Sequence, residues 1–237
     1  MSIELNALRP VIWRVNTDPF TIAIRSRLSR FRDFPFLLLV DWVELLSGQF
    51  RQGCWSALSA AEKQRHGAFR MKDDRERFLV GRGVLRQLLG AWLGQAPKEI
   101  VLSLGHFGKP FCSGGPEFNL SHSGRLILIG LHPCRAVGVD VERMDTRLDW
   151  HPIATRLWDK KTVAEIAGHD SEDQCAVFFQ HWCNHEAVCK ATGLGLTAPS
   201  TPDSSSWNGR LWNVLLPPGY RGSIALVGRS PLAPQSF

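Results

Sequence analysis

Asp140 and Glu142 lie in the stretch Arg135-Ala136-Val137-Gly138-Val139-Asp140-Val141-Glu142, where three valines alternate with a glycine and the two acids. A two-residue period is that of a half-buried strand, so the two carboxylates share one face, about 7 Å apart along the strand. Neighbouring carboxylates repel unless a cation lies against them, and hard oxygen donors suit Mg²⁺. The same pattern also describes an acidic strand edge facing solvent, so the metal reading needs support from elsewhere in the chain.

Glu186 and Lys190 are four residues apart in a strongly helical stretch and share a face. Alone they read as a surface ion pair worth a few tenths of a kcal/mol. Beside the strand acids, Glu186 would add a third oxygen ligand, and Lys190 a positive charge against the negative charge that develops in phosphoryl transfer. Asn119-Leu120-Ser121-His122-Ser123-Gly124 offers hydroxyls, backbone N–H groups and an imidazole to a phosphate. It reads equally as a polar turn with a satisfied histidine. Gly108-Lys109-Pro110 is part of a glycine-paced turn and carries no chemistry by itself.

The elements that must position these residues follow from period and punctuation. Phe36 to Trp42 is predicted as a buried strand. Ser59 with Glu62 is a capping box that opens a helix toward Phe69. Asp73 or Asp74 starts a longer helix to Leu89, stopped by Gly90, with Phe78, Leu85, Leu88 and Leu89 as its apolar stripe. Arg75, Arg77, Arg82 and Arg86 fall on its other sides, by default solvated. Ile100 to Leu104 and Leu126 to Leu131 are predicted strands, and His132-Pro133-Cys134 joins the latter to the Asp140 strand as a hairpin. Short helices follow over Asp149 to Trp158 and Thr162 to Ile166, then the long helix Ser171 to Ala191 with Gly193 as its stop. Thr197 to Ser206 is a Pro/Ser-rich loop, and strands over Trp207 to Leu216 and Tyr220 to Val227 close the chain. Residues 1–34 hold a short strand over Val11 to Val15 and an arginine-rich stretch from Arg25 to Arg32, with no role assigned.

At 237 residues, 44% hydrophobic and 21% charged, the chain has the composition of a globular protein with one large domain or two lobes of about a hundred residues. Its formal charge of +6 favours an anionic partner: nucleic acid, a phosphate-bearing cofactor or an acidic protein. The six cysteines form no Cys-x-x-Cys pair, and no signal-peptide pattern precedes them, so free thiols in a reducing cytoplasm are expected. Phe34 to Val40, the longest apolar run, is too short to span a bilayer, so no membrane is expected.

Taken in order, Gly108-Lys109-Pro110, Phe118 to Gly124, Gly138-Val139-Asp140-Val141-Glu142 and Trp182-Cys183-Asn184-His185-Glu186-Ala187-Val188-Cys189-Lys190 through Leu196 resemble the motifs of the Sfp-type 4′-phosphopantetheinyl transferases. The stretch from Leu58 to Leu89, with Asp74-Arg75-Glu76-Arg77, is similar to the family's first lobe. The resemblance implies an α/β (α+β) fold of two similar lobes related by pseudo-twofold symmetry, each a small antiparallel sheet packed with helices. On this sequence the lobes would be residues 35–131 and 132–237, after an N-terminal segment 1–34.

It further implies a monomeric enzyme that moves 4′-phosphopantetheine from coenzyme A to a serine of an apo acyl or peptidyl carrier protein, releasing 3′,5′-ADP, in polyketide, non-ribosomal peptide or related biosynthesis. Asp140, Glu142 and Glu186 would hold Mg²⁺ on the coenzyme's pyrophosphate. Glu186 and Lys190 would be catalytic. Ser121 and His122 would contact the phosphates, Lys109 and Pro110 line the adenine site, and Arg65 and Arg77 bind the 3′-phosphate. Coenzyme A and the carrier protein are the partners, without nucleic acid. The chain departs from the family pattern at His185, where lysine is usual, which supplies less charge near neutral pH. Two other readings are a metal-dependent phosphodiesterase or nuclease, and a non-catalytic binder of coenzyme A or carrier proteins.

Overall fold

The computed structural model describes residues 11–13, 35–46, 48–105, 108–193 and 209–229. The first half runs β1 (Val11–Trp13), β2 (Phe36–Asp41), α1 (Gly48–Ala57), α2 (Ala60–Ala68), α3 (Lys72–Leu93), a 3₁₀ turn (Pro97–Glu99), β3 (Ser103–Leu104), β4 (Pro110–Phe111), β5 (Glu117–Ser123) and β6 (Leu126–His132). The second half runs β7 (Arg135–Arg143), α4 (His151–Leu157), α5 (Lys160–Ala167), α6 (Ser171–Thr192), β8 (Gly209–Asn213) and β9 (Tyr220–Arg229). One sheet has the order β1-β2-β6-β5, with β1 parallel to β2 and the other pairs antiparallel. The second has the order β7-β9-β8 and is antiparallel throughout, while β3 and β4 form a small separate pair.

The two sheets pack face to face, which explains why β6 is buried at every position, with apolar residues on both faces from Leu126 to Leu131, rather than at alternate ones. Phe36, Leu38 and Val40 of β2, with Ile127, Ile129 and Leu131 of β6, meet Leu79, Val84, Leu85 and Leu88 of α3. The intervening Leu37, Leu39, Leu126 and Leu128 turn the other way, onto Val137, Val139 and Val141 of β7 and Ile224 and Leu226 of β9. The far face of the second sheet takes α6 through Ala187, Val188, Ala191 and Ala225. The result is a helix–sheet–sheet–helix stack. A separate aromatic cluster of Trp158, Phe178 and Phe179 ties α4 and α5 to the first half of α6.

Several local expectations change. Strands β6 and β7 are not a hairpin: β6 pairs with β2 and β5, β7 with β9. His132 turns the chain between sheets, its Nδ1 accepting the N–H groups of Cys134 (3.2 Å) and Arg135 (3.0 Å). The α3 helix runs past Gly90 to Leu93 and stops at Gly94, which has φ +69°. Gly90 is small for another reason, since a Cβ there would lie 2.8 Å from the Gln95 carbonyl oxygen. The α1 helix was not foreseen in the sequence. Of the strand expected from Trp207 to Leu216, Gly209–Asn213 is present, while Trp207 and Asn208 lie outside the described residues. Of the Val11 to Val15 strand, Val11–Trp13 is present. The Arg25 to Arg32 stretch and the Thr197 to Ser206 loop lie outside the described residues.

Arg86 is not solvated. It is 3% exposed and pairs with Glu62 of the Ser59 capping box, while its Nη1 donates to the carbonyls of Pro97 (2.8 Å) and Ile100 (2.9 Å). Truncating one partner of such a buried pair costs about 3–5 kcal/mol, so Arg86 is a structural clamp between α2, α3 and the 3₁₀ turn. All six cysteines are free thiols. Among the described residues, no helix is long and apolar enough to cross a membrane.

Candidate functional site

The site forms where α6 crosses β7. Gly138 permits it: a Cβ there would fall 2.0 Å from the Ala187 carbonyl oxygen and 2.3 Å from the Ala191 nitrogen, so helix backbone lies directly on strand backbone. A polar triad fixes the helix against β9. Gln180 donates to Ser223 Oγ (2.8 Å), and Ser223 Oγ donates to Asn184 Oδ1 (2.6 Å). With α6 held this way, Glu186 and Lys190 stand over Asp140 and Glu142, and all four line one open cavity of about 330 Å³ with Ser121, His122, Leu120 and Trp182.

Charge in that cavity is uneven. Lys190 Nζ lies 2.5 Å from Asp140 Oδ1 and 3.9 Å from Glu186 Oε2. Ser121 Oγ lies 3.0 Å from the same Asp140 oxygen. The other oxygen, Oδ2, is buried with no hydrogen-bond partner among the described residues, a costly state for a carboxylate. Burial pushes the Glu142 carboxyl above its ordinary value; the carboxylates of Asp140 and Glu186 push the same way, against the hydrogen bond from Ser123. The buried Cys183 thiol is pushed well up by its burial and then by Asp140. These are the marks of an acidic oxygen set short of positive charge. The donors suit a hard divalent cation. No group of three acidic, histidine or cysteine side chains stands at metal-binding spacing among the described residues; Lys190 Nζ approaches both Asp140 and Glu186.

A second cavity, of about 320 Å³, shares Leu120 and His122 with the first and has the opposite character. Arg65, Arg77 and Arg82 line it, with Phe69 and Phe78 and the edge of Pro110. The guanidinium groups of Arg65 and Arg82 lie 5.4 and 5.9 Å from the Phe78 ring centre, so an aromatic surface sits beneath cations. Arg77 is paired with Asp74. Burial, then Arg77, lowers the His122 pKa, which keeps the ring neutral between the two cavities. A basic chamber opening onto an acidic one fits a ligand with phosphate at one end and a cation-bridged phosphate further along.

The residues singled out in the sequence therefore divide in three. Ser121, His122, Asp140, Glu142, Glu186 and Lys190 come together in the acidic cavity, and Arg65, Arg77 and Pro110 with His122 in the basic one. Lys109 joins neither. Its Nζ donates to the Val137 carbonyl oxygen (2.8 Å), and burial brings its pKa down to about 8. It lines a third cavity, with Pro110 and Cys112. Ser121 is 7% exposed, and its hydroxyl is occupied by Asp140, the Val141 N–H (3.4 Å) and Lys190 (3.3 Å). Arg82, Phe69 and Trp182 were not picked out as site residues. The one available signal in the sequence is that Arg82 and Phe78 are four apart on α3 and so share a face.

Comparison with known proteins agrees over both halves. A family model described as the 4′-phosphopantetheinyl transferase superfamily matches residues 136–229. Another, described as 4′-phosphopantetheinyl transferase, N-terminal, matches residues 47–133. The chain is 34% identical over 146 residues to the 4′-phosphopantetheinyl transferase HetI of Nostoc sp., covering 60% of this chain and 62% of that protein. It is 27% identical over 156 residues to the 4′-phosphopantetheinyl transferase Sfp of Bacillus subtilis, covering 65% and 68%. A similarity of 28% over 156 residues extends to the L-aminoadipate-semialdehyde dehydrogenase-phosphopantetheinyl transferase of Xenopus laevis, covering 60% and 52%. The matched part thus spans somewhat under two thirds of the length of HetI and of a putative 4′-phosphopantetheinyl transferase of Synechocystis sp..

Proposed function

The chain belongs to the 4′-phosphopantetheinyl transferase superfamily, and we propose that it transfers 4′-phosphopantetheine from coenzyme A to a serine of an apo carrier protein. The observation that carries the reading is the junction of the two cavities at Leu120 and His122, one lined by three arginines and a single acid, Asp74, the other by three carboxylates and a lysine. Coenzyme A has this polarity: a phosphorylated nucleoside at one end, a pyrophosphate in the middle and an uncharged pantetheine arm beyond.

In this reading Arg65, Arg77 and Arg82 hold the phosphorylated nucleoside, and the face of Phe78 packs beneath it. The neutral ring of His122 donates a hydrogen bond to a phosphate oxygen at the boundary. Asp140, Glu142 and Glu186 are the residues that would hold Mg²⁺, which would supply charge neutralisation to the pyrophosphate. Glu186, directly or through a water, takes the proton of the carrier serine. The serine oxygen forms a bond to the phosphorus that bears pantetheine. The bond from that phosphorus to the bridging oxygen breaks, and 3′,5′-ADP leaves. Lys190 stabilises the charge that grows on the phosphate oxygens. The +6 net charge suits an anionic coenzyme and an acidic carrier alike.

The test is to incubate the protein with coenzyme A, Mg²⁺ and an apo carrier, and to weigh the carrier. A mass gain of one phosphopantetheine group is expected. No gain on several unrelated apo carriers would overturn the reading, and Asp140-dependent cleavage of nucleic acid would put a nuclease in its place.

A further inference from the structure

The edge of one sheet meets the edge of the other without pairing as strands. Along β5, Asn119, Ser121 and Ser123 project toward β7, and each accepts one of its backbone N–H groups. Asn119 Oδ1 takes Val139 (2.9 Å), Ser121 Oγ takes Val141 (3.4 Å) and Ser123 Oγ takes Arg143 (3.0 Å). Three side chains two residues apart thus supply what a neighbouring strand's carbonyls would.

The residue types along this ladder match what lies beside it. A hydroxyl that accepts an N–H still has a proton to donate, whereas a side-chain carbonyl does not. Both serines use that proton on a carboxylate one residue back on β7: Ser121 on Asp140 (3.0 Å) and Ser123 on Glu142 (2.7 Å). Asn119, by contrast, stands beside Val139, whose preceding residue is Gly138 and has no carboxylate to hold. Serine occurs where there is an acid to orient, and asparagine where there is none.

We infer that Ser123 is a positioning residue for the acidic cavity: its hydroxyl fixes Glu142 through the two-bond bridge by which Ser121 fixes Asp140, and so sets how tightly the site holds a divalent cation. The inference rests on reading the acidic cavity as a cation site. Groups that orient metal-bound carboxylates change metal affinity by about 10–100-fold when removed. Ser123 bridges the sheets as well as orienting the acid, so stability and cation binding have to be separated.

The full chain without coenzyme is titrated with Mn²⁺, free Mn²⁺ being read by electron paramagnetic resonance, and melting temperature is measured in parallel. Ser123→Ala is expected to weaken Mn²⁺ binding about tenfold, while Ser123→Thr, which keeps the hydroxyl, stays close to the unmodified protein. In a Glu142→Gln background, Ser123→Ala is expected to add no further loss, because the two act as one unit. A Ser123→Ala protein that melts lower but binds Mn²⁺ as before reduces Ser123 to a seam between sheets and overturns the inference. So does an equal loss in the Glu142→Gln background. If Ser123→Ala does not fold, a Ser123→Thr protein that folds but binds Mn²⁺ poorly overturns it too. Unaltered Mn²⁺ binding in a protein that still transfers phosphopantetheine defeats this inference alone, whereas an unmodified protein that neither binds Mn²⁺ nor transfers defeats the functional reading with it.

Discussion

Lys190 is closer to Asp140, fifty residues away, than to Glu186, its neighbour one turn back on α6: 2.5 Å against 3.9 Å. The Asp140 side chain is 2% exposed, so this ammonium is the countercharge of a buried acid. Removing the partner of a buried charge costs about 3–5 kcal/mol. Lys190→Met is therefore expected to melt well below the unmodified protein in EDTA, and to recover more of that loss on adding Mg²⁺ than the unmodified protein gains. Thermal denaturation with and without Mg²⁺ checks this. Equal Mg²⁺ effects in the two proteins would mean that the ammonium and the cation do not share a place.

Glu142 gives the apo protein a pH dependence of definite sign. Burial first, then the Asp140 and Glu186 carboxylates, raise its pKa above the ordinary 4.5. The folded state then binds the proton more tightly than the unfolded chain does. Its contribution to stability is full below the ordinary value and is lost as pH rises through the raised one. Without divalent cation, melting temperature is expected to fall across that window, and Glu142→Gln is expected to flatten the fall. A window that persists in the variant would assign it to another group.

Much of this site was legible because its parts are local. A two-residue period placed Asp140 and Glu142 on one face, a four-residue spacing paired Glu186 with Lys190, and Ser59 with Glu62 marked a helix start that the structure reproduces as a full capping box. What was illegible depends on contacts between distant segments. The alternation in β2 and β6 is hidden because both faces are buried, one under α3 and one under the second sheet. His132 reads as a hairpin turn because nothing local says that β7 will join β9 instead. Arg86 looks solvated on α3 until Glu62 and two carbonyls from other segments close on it. Lys109 has the turn the sequence suggests, but its amine goes to the Val137 carbonyl of a strand in the other sheet.

Gly138 sets the height of α6 over the acids. An alanine methyl would sit 2.0 Å from the Ala187 carbonyl oxygen, and backbone cannot swing aside as a side-chain tip can. Gly138→Ala should lift the helix and with it Glu186 and Lys190. Overpacking of this kind costs about 1–3 kcal/mol, which the fold is expected to survive. Transfer activity is expected to drop far more than stability does, by about a hundredfold for displacements near 1 Å. Paired measurements of melting temperature and initial rate decide the point; losses in proportion would show that the helix height matters to folding alone.

His185 occupies the position where lysine is usual in the resembling family, which poses the question of whether lysine there would raise the proposed transfer activity. The side chain is 6% exposed and lines neither cavity. Its Nε2 lies 3.5 Å from the thiol of Cys189, one turn on, which burial holds as a protonated thiol with a pKa of about 11. A lysine here would bring a cation against an uncharged sulfur in packed surroundings, or bend its stem toward water and leave a void where the ring was. His185→Lys is expected to lose about 2 kcal/mol of stability and to gain no transfer activity. Denaturant unfolding and transfer rates at saturating coenzyme A check both halves. Faster transfer by a His185→Lys protein of unchanged stability would instead place residue 185 within reach of the phosphates.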